Sequence, residues 1–182
     1  GLTLMFDMFR KIEWRVDRAA PHHAEAIAGL HAAGFARGWS SAEIEDLLLD
    51  RAVVAEILRS EAGSHVLDGF ALSRVAADEA ELLSIAIAPK HRGKGAGAPL
   101  LARHLARVGA AGARRVVLEV DETNEPALRL YRRFGFAEVA VRPAYYTRAD
   151  GTRGAARGIV RSHARPRRVR PARPCRQYKL LL

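Results

Sequence analysis

The sequence predicts a mixed α/β domain, a sheet covered on both faces by helices. Three observations carry this. Short β-branched or apolar runs alternate with stretches of helical periodicity from about residue 13 to residue 141. Capping and turn residues fall at the junctions. One strand ends in a loop with glycines at 93, 95 and 97 that opens straight into an amphipathic helix.

Taken in order, Glu13 to Ala19 (EWRVDRA) is the expected first strand. Pro21 suits a helical first turn, where the missing N–H has no bond to lose. Apolar residues at helical spacing follow over Ala24 to Phe35. Ser40 and Glu43 have capping-box spacing, each side chain reaching the other's backbone N–H, and open a second helix through Leu49. Ala52 to Leu58 and Val66 to Val75 read as a hairpin, with Glu61 to Ser64 as its turn. Glu81 to Ala88 feeds the glycine loop, and Gly97 to Ala110 is the helix leaving it. Gly112 breaks that helix, and Arg115 to Val120 is a strand of the buried type. Asn124 to Phe134 is a helix with Asn124 near its cap, Pro126 in its first turn and Gly135 at its end. Phe136 to Val141 begins another strand.

A chain of 182 residues, 49% apolar, holds one sizeable core. We expect one domain over residues 1–152 and a basic Arg/Pro-rich tail, disordered or non-native, over 153–182. The tail has nine arginines, three prolines and no acid, and only Gly158-Ile159-Val160 is strand-like, so a last strand is poorly specified. No apolar stretch reaches the ~20 residues that span a bilayer. In the opening GLTLMFDMFRK the charges follow the apolar residues, the wrong order for a signal peptide. A cytoplasmic protein without membrane contact is expected. The single cysteine, Cys175, excludes an internal disulfide and a cysteine metal cluster, and the histidines show no helical ligand pair, so no metal is expected.

The net charge of +10 suggests nucleic acid, but its placement does not. Residues 1–150 hold 20 Lys+Arg and all 20 Asp+Glu; residues 151–182 hold the other 10 basic residues. The body is formally neutral, so nucleic-acid binding is expected, if at all, through the tail.

The segment SIAIAPKHRGKGAG, residues 84–97, is built for a pyrophosphate. Glycines let the backbone approach phosphates without a Cβ clash. The unbonded N–H groups and dipole of a helix start then face the anion. Arg92 and Lys94 add charge. A plain strand-to-helix turn is the alternative for this loop alone.

Arg92-x-x-Gly95-x-Gly97 resembles the acetyl-CoA signature of the GNAT superfamily of N-acetyltransferases. A second block, LEVDETNEPALRLYRRFGF over residues 118–136, resembles the ribosomal-protein-alanine N-acetyltransferase subfamily at Leu118, Glu119, Asn124, Leu130, Tyr131, Gly135 and Phe136. Further matches are Phe35, Trp39-Ser40, Tyr145-Tyr146 and Asp150-Gly151. The resemblance covers about residues 13–152. It implies a mixed, mostly antiparallel central sheet flanked by helices. It implies acetyl-CoA as co-substrate, held by Ile85, Ala86 and Ile87 along the pantetheine arm, by Arg92, Gly93, Lys94, Gly95, Ala96 and Gly97 around the phosphates, and by Asn124.

Acetyl transfer from a thioester to an amine needs a base, a polarised carbonyl and a proton for the thiolate. Glu119, ending an apolar strand, is the candidate base, acting through water as the superfamily commonly does. Tyr131, two helical turns after Asn124 and on its face, is the candidate acid. A bulged or splayed strand near Ile85 to Ile87 would free an N–H to polarise the carbonyl. Each residue alone has a plainer role: Glu119 pairing with an arginine, Tyr131 as packing, Asn124 as a cap. Phe35 and Trp39 line an acceptor cleft with Tyr145 and Tyr146, or staple a helix start. Pro99 in the helix's first turn removes one possible phosphate donor. The resemblance implies a protein N-terminal α-amine as acceptor, with a ribosomal protein as a possible partner. The alternatives are a small-molecule amine acetyltransferase and a non-enzymatic CoA-binding or RNA-associated module using the basic tail.

Overall fold

The computed structural model describes residues 12–34, 38–60, 65–147 and 151–162. Phe35, the Glu61 to Ser64 turn, Asp150 and residues 163–182 lie outside them.

The strands are β1 (Arg15–Arg18), β2 (Val53–Arg59), β3 (Gly69–Ala76), β4 (Glu79–Ile87), β5 (Arg115–Asp121), β6 (Ala137–Thr147) and β7 (Arg153–Ser162). They form one sheet in the order β1-β2-β3-β4-β5-β7-β6. Every neighbouring pair is antiparallel except β4–β5. The helices are α1 (Ala24–Ala32), α2 (Ser41–Leu49), α3 (Gly97–Ala110) and α4 (Glu125–Arg133).

Local chemistry sets these bounds. The capping box forms as its spacing predicts: Ser40 Oγ accepts from the Glu43 N–H and Glu43 Oε2 accepts from the Ser40 N–H. Both α3 and α4 end in a left-handed glycine. At α3, Gly112 (φ +101°) lets Ala113 N–H reach the Val108 carbonyl. At α4, Gly135 (φ +83°) lets Phe136 N–H reach the Tyr131 carbonyl, 3.0 Å in each case.

Burial splits into two layers. On one face, α3 and α4 cover Ile85, Ile87, Val116, Leu118 and Val120 with Leu100, Leu101, Leu105, Leu128 and Tyr131. On the other, α1 and α2 cover Ile57, Phe70, Leu72, Leu83 and Ala86 with Ile27 and Ile44. Each fully buried Val, Leu, Ile or Phe among them contributes about 1.5–3 kcal/mol.

The last strand forms inside the stretch expected to be tail. β7 inserts between β5 and β6, pairing from Arg115↔Ser162 to Asp121↔Ala156 on one side and from Ala137↔Val160 on the other. The sheet, not the tail, therefore claims residues 153–162. Composition hides this strand because small residues do much of its burying: Gly154 and Ala156 are buried alongside Ile159. Pairing on both sides supplies the backbone bonds that local propensity does not predict.

Candidate active site

The sheet parts between β4 and β5. Their parallel ladder has three pairs, Glu79↔Arg115, Ala80↔Val116 and Glu81↔Val117, and stops there. Against β3 the register of β4 slips, with Ser73 opposite Leu82 and Leu72 opposite Ser84, so Leu83 is the extra residue of a bulge. A bulge bends its strand and increases its twist. The following stretch, Ile85, Ala86 and Ile87, stays paired to β3 but has no β5 partner among the described residues. Both a bulge and a splay are therefore present at this end of β4.

The glycine loop begins where β4 ends. Gly93 and Gly95 adopt φ +72° and +77°, a region that penalises residues with a Cβ. A Cβ built on either meets nothing within 4 Å, so their outer side is open. Gly97 instead starts α3. That helix has no side-chain cap and no acid in its first turn, which leaves its positive end facing the loop. Ala96 is buried beneath it, while Lys94 is exposed. Arg92 is also exposed, but its Nε donates to the Ile87 carbonyl at 3.1 Å, bracing the loop against the end of β4.

Two buried polar groups that the sequence reading passed over hold this assembly. Asp68, 1% exposed, takes the Ser60 N–H on Oδ2 at 2.7 Å. Its Oδ1 lies 3.2 Å from Lys90 Nζ and 3.1 Å from His91 Nε2, and its carbonyl accepts from Ala88 N–H. Burial pushes the Asp68 carboxyl up, but bonds from Ser60 and Lys90 and the neighbouring His91 outweigh it and hold the group below its ordinary value. Asp68 thereby fixes the short 3-10 turn Pro89–His91 that leads into the loop.

The second group is a cluster under α3 whose Glu56, Ser73 and His104 are fully buried. His104 Nδ1 bonds the Glu56 carboxylate, His104 Nε2 lies 2.6 Å from Ser73 Oγ, and Arg107 Nε lies 3.2 Å from Glu56 Oε1. The order Ser–His–Glu is that of a hydrolytic triad, but Ser73 pairs with Leu82 and so faces α3, away from the α1/α2 side of the β4–β5 opening. The cluster ties α3 to β2 and to β3 beside the bulge. Its sequence signal is slight: one buried polar residue inside each of VVAEIL, GFALSRV and an apolar helix face.

Glu119 and Tyr131 lie on opposite faces of the sheet. Tyr131 is completely buried in the α3/α4 layer, its ring edge-on to Phe136 at 5.4 Å. Glu119 is half-buried, and its neighbours Leu118 and Val120 fill the α3/α4 layer, so its own side chain points to the α1/α2 side. Asn124 caps α4, accepting from the Ala127 N–H at 3.3 Å. On the α1/α2 side, His31 is buried and stacks on Trp39 at 4.4 Å. Its Nδ1 accepts the Trp39 N–H at 3.0 Å, which requires an unprotonated nitrogen. Burial lowers the His31 pKa to about 4, in keeping with that bond. Trp39 packs against the α1/α2 core, Tyr145 and Tyr146 fall within β6, and Phe35 lies outside the described residues.

A family model, the acetyltransferase (GNAT) family, matches residues 7–136, well over half of the chain. The chain belongs to the GNAT family. A Haemophilus influenzae [ribosomal protein bS18]-alanine N-acetyltransferase is 40% identical over 85 residues, covering 47% of this chain and 58% of that protein. The chain spans little more than half the length of the curated relatives of this kind that it matches. The crystal structure of the ribosomal-protein-S18-alanine N-acetyltransferase from Escherichia coli superposes with TM-score 0.74 at 24% identity, over 86% of this chain and 97% of that one. Arabidopsis thaliana NAA60, solved with acetyl-CoA, superposes with TM-score 0.70 at 19% identity, over 83% and 99%. These likenesses fix the fold: a mixed sheet, mostly antiparallel, flanked by helices. No described helix is long and apolar enough to cross a membrane.

Proposed function

We propose that the protein is an N-acetyltransferase that uses acetyl-CoA, with a protein N-terminal α-amine as acceptor, the bS18-alanine type named for its relatives. One observation carries this reading: the β4–β5 opening lies directly upstream of a glycine loop and an uncapped helix start. The donor set fits an anionic, extended thioester. Left-handed glycines with open outer sides, the bare start of α3 and exposed Lys94 suit phosphates. The β5-facing edge of Ile85, Ala86 and Ile87 suits an amide-bearing arm.

Acetyl-CoA supplies an activated acyl group and a thiolate leaving group. The chain's own residues do the rest. Glu119, on the α1/α2 side, takes the proton from the acceptor amine, directly or through water. A backbone N–H of the splayed β4 edge donates to the carbonyl oxygen as charge develops on it. Tyr131, from the other side, donates its phenolic proton to the departing sulfur. Asn124 orients the start of α4, and with it Tyr131.

A screen of peptide and small amines with acetyl-CoA, read by mass, tests the acceptor. Peptides beginning with alanine should gain one acetyl group at the α-amine. Exclusive acetylation of small amines would move the protein to another branch of the family. Glu119→Gln should lower kcat by about 10²-fold with little change in the acetyl-CoA KM; an unaltered pH–rate profile would place the base elsewhere.

A further inference from the structure

Ser84 is a buried hydroxyl on β4, beside the bulge at Leu83. The residue is completely buried, and among the described residues its Oγ has no hydrogen-bond partner. Buried hydroxyls are paired in the great majority of cases, so an orphan calls for a partner that arrives with a ligand.

Its place in the sheet says where that partner sits. Ser84 pairs with Leu72 of β3, and cross-strand partners share a face. Leu72 packs in the α1/α2 layer, so Ser84 points to that side. Leu83 does too, because the bulge puts two consecutive side chains on one face. Two carboxylate side chains share it, and Arg74, opposite Glu81 on β3, lies on the same face. Glu81 lies between Ala80 and Leu82, both in the α3/α4 layer, and Glu119 lies between Leu118 and Val120, likewise.

The register aligns all three. Glu81 is opposite Val117, the last rung before β4 and β5 part. With Leu83 counted as the bulged residue, Ser84 stands two rungs past Glu81. Glu119 stands two residues past Val117. Ser84 and Glu119 therefore flank the opening at the same level, on the same face, with Glu81 one step behind. Burial raises the Glu81 carboxyl, Arg74 opposes this, and Glu119 and Glu79 push it further up, which places the Glu119 charge within reach of Glu81.

We propose that Ser84 is a substrate-contacting residue whose Oγ accepts an N–H from the acceptor's α-amine, opposite Glu119, so that the amine nitrogen is held across the β4–β5 opening. Two carboxylates and a hydroxyl lone pair offer acceptors, which suits the N–H donors of an amine or ammonium group. No bond is made or broken by Ser84 itself: it orients the nitrogen while Glu119 removes the proton. The inference rests on the acetyltransferase reading above and names the residue that aims its acceptor.

Ser84→Ala tests it. An alanine removes the orphan oxygen and fills the same place, so the variant should melt at the same temperature as the wild type or above it. Its kcat/KM for a peptide beginning with alanine should fall roughly 10-fold or more, the loss of one bond to a charged or charging group, with the acetyl-CoA KM within about twofold. A peptide kcat/KM within twofold of wild type would overturn the assignment. So would a melting temperature and acetyl-CoA affinity that fall together, which is the mark of packing. A binding arm needs no turnover: with CoA present, the same peptide should raise the wild-type melting temperature, and Ser84→Ala should lose that shift. An equal shift in both proteins overturns the contact whether or not acetyl is transferred. Transfer by the wild type to amines other than peptides, with Ser84→Ala still impaired, keeps the contact and corrects only the acceptor class. A wild type that neither transfers acetyl nor responds to the peptide removes both the acetyltransferase reading and the contact.

Discussion

Tyr131 and Phe136 are joined twice. The Phe136 N–H donates to the Tyr131 carbonyl at 3.0 Å, and the two rings meet edge to face with centroids 5.4 Å apart. The first contact is the closing bond of the α4 C-cap, and the second is the apolar contact that accompanies such a cap. Gly135 between them, at φ +83°, makes both possible. The cap that ends the helix therefore also fixes the ring of the proposed acid.

Tyr131→Phe keeps that ring contact and deletes one oxygen. Folding should be held within about 1 kcal/mol, while turnover should fall by roughly 10²-fold with a modest change in the acetyl-CoA KM. Steady-state kinetics beside a circular-dichroism melt read both. Near-normal turnover would leave Tyr131 as packing and reduce the proposed machinery to Glu119 and the loop.

Gly95→Val puts a β-branched residue at φ +77°. Space around the new Cβ is open, so the damage comes from the backbone, about 1–2 kcal/mol. If relaxing that strain turns the loop's N–H groups away from the phosphates, calorimetry should show acetyl-CoA affinity down at least about tenfold with the fold intact. An unchanged affinity would take the loop out of the site.

His104→Ala leaves the Glu56 carboxylate and the Ser73 hydroxyl buried without their shared partner, Arg107 remaining beside Glu56. Breaking a buried charged network by removing one member costs about 3–5 kcal/mol. Urea unfolding should show a loss of that order. A loss under 1 kcal/mol would mean that water or Arg107 replaces the imidazole.

His31 should give the stability a step in acid. Its folded pKa is lowered to about 4 from an ordinary 6.5, so the unfolded chain binds its proton first as pH falls. The contribution is whole above pH 6.5 and is lost progressively down to about pH 4, reaching about 2 kcal/mol by pH 5. His31→Gln retains an acceptor for the Trp39 N–H and does not titrate. Its melting temperature should fall less than that of the wild type between pH 7 and pH 5; parallel curves would assign the acid loss to other groups.

The order of elements was legible in the chain because it rests on local chemistry. Ser40 with Glu43 starts one helix, Gly112 and Gly135 end two others, and the apolar periods of residues 97–110 and 115–120 have one structural solution each. The glycine loop was legible for the same reason, since positive φ at residues 93 and 95 is written in residue type. Tertiary structure alone decided three things. It placed β7 between β5 and β6, where burial of small residues such as Gly154 and Ala156 depends on strands far away in sequence. It joined Glu56, Ser73 and His104, which lie on separate elements and signal nothing singly. It also set Ser84 level with Glu119, because a one-residue bulge at Leu83 shifts which side chains face which side, and a register is a property of paired strands rather than of either strand's sequence.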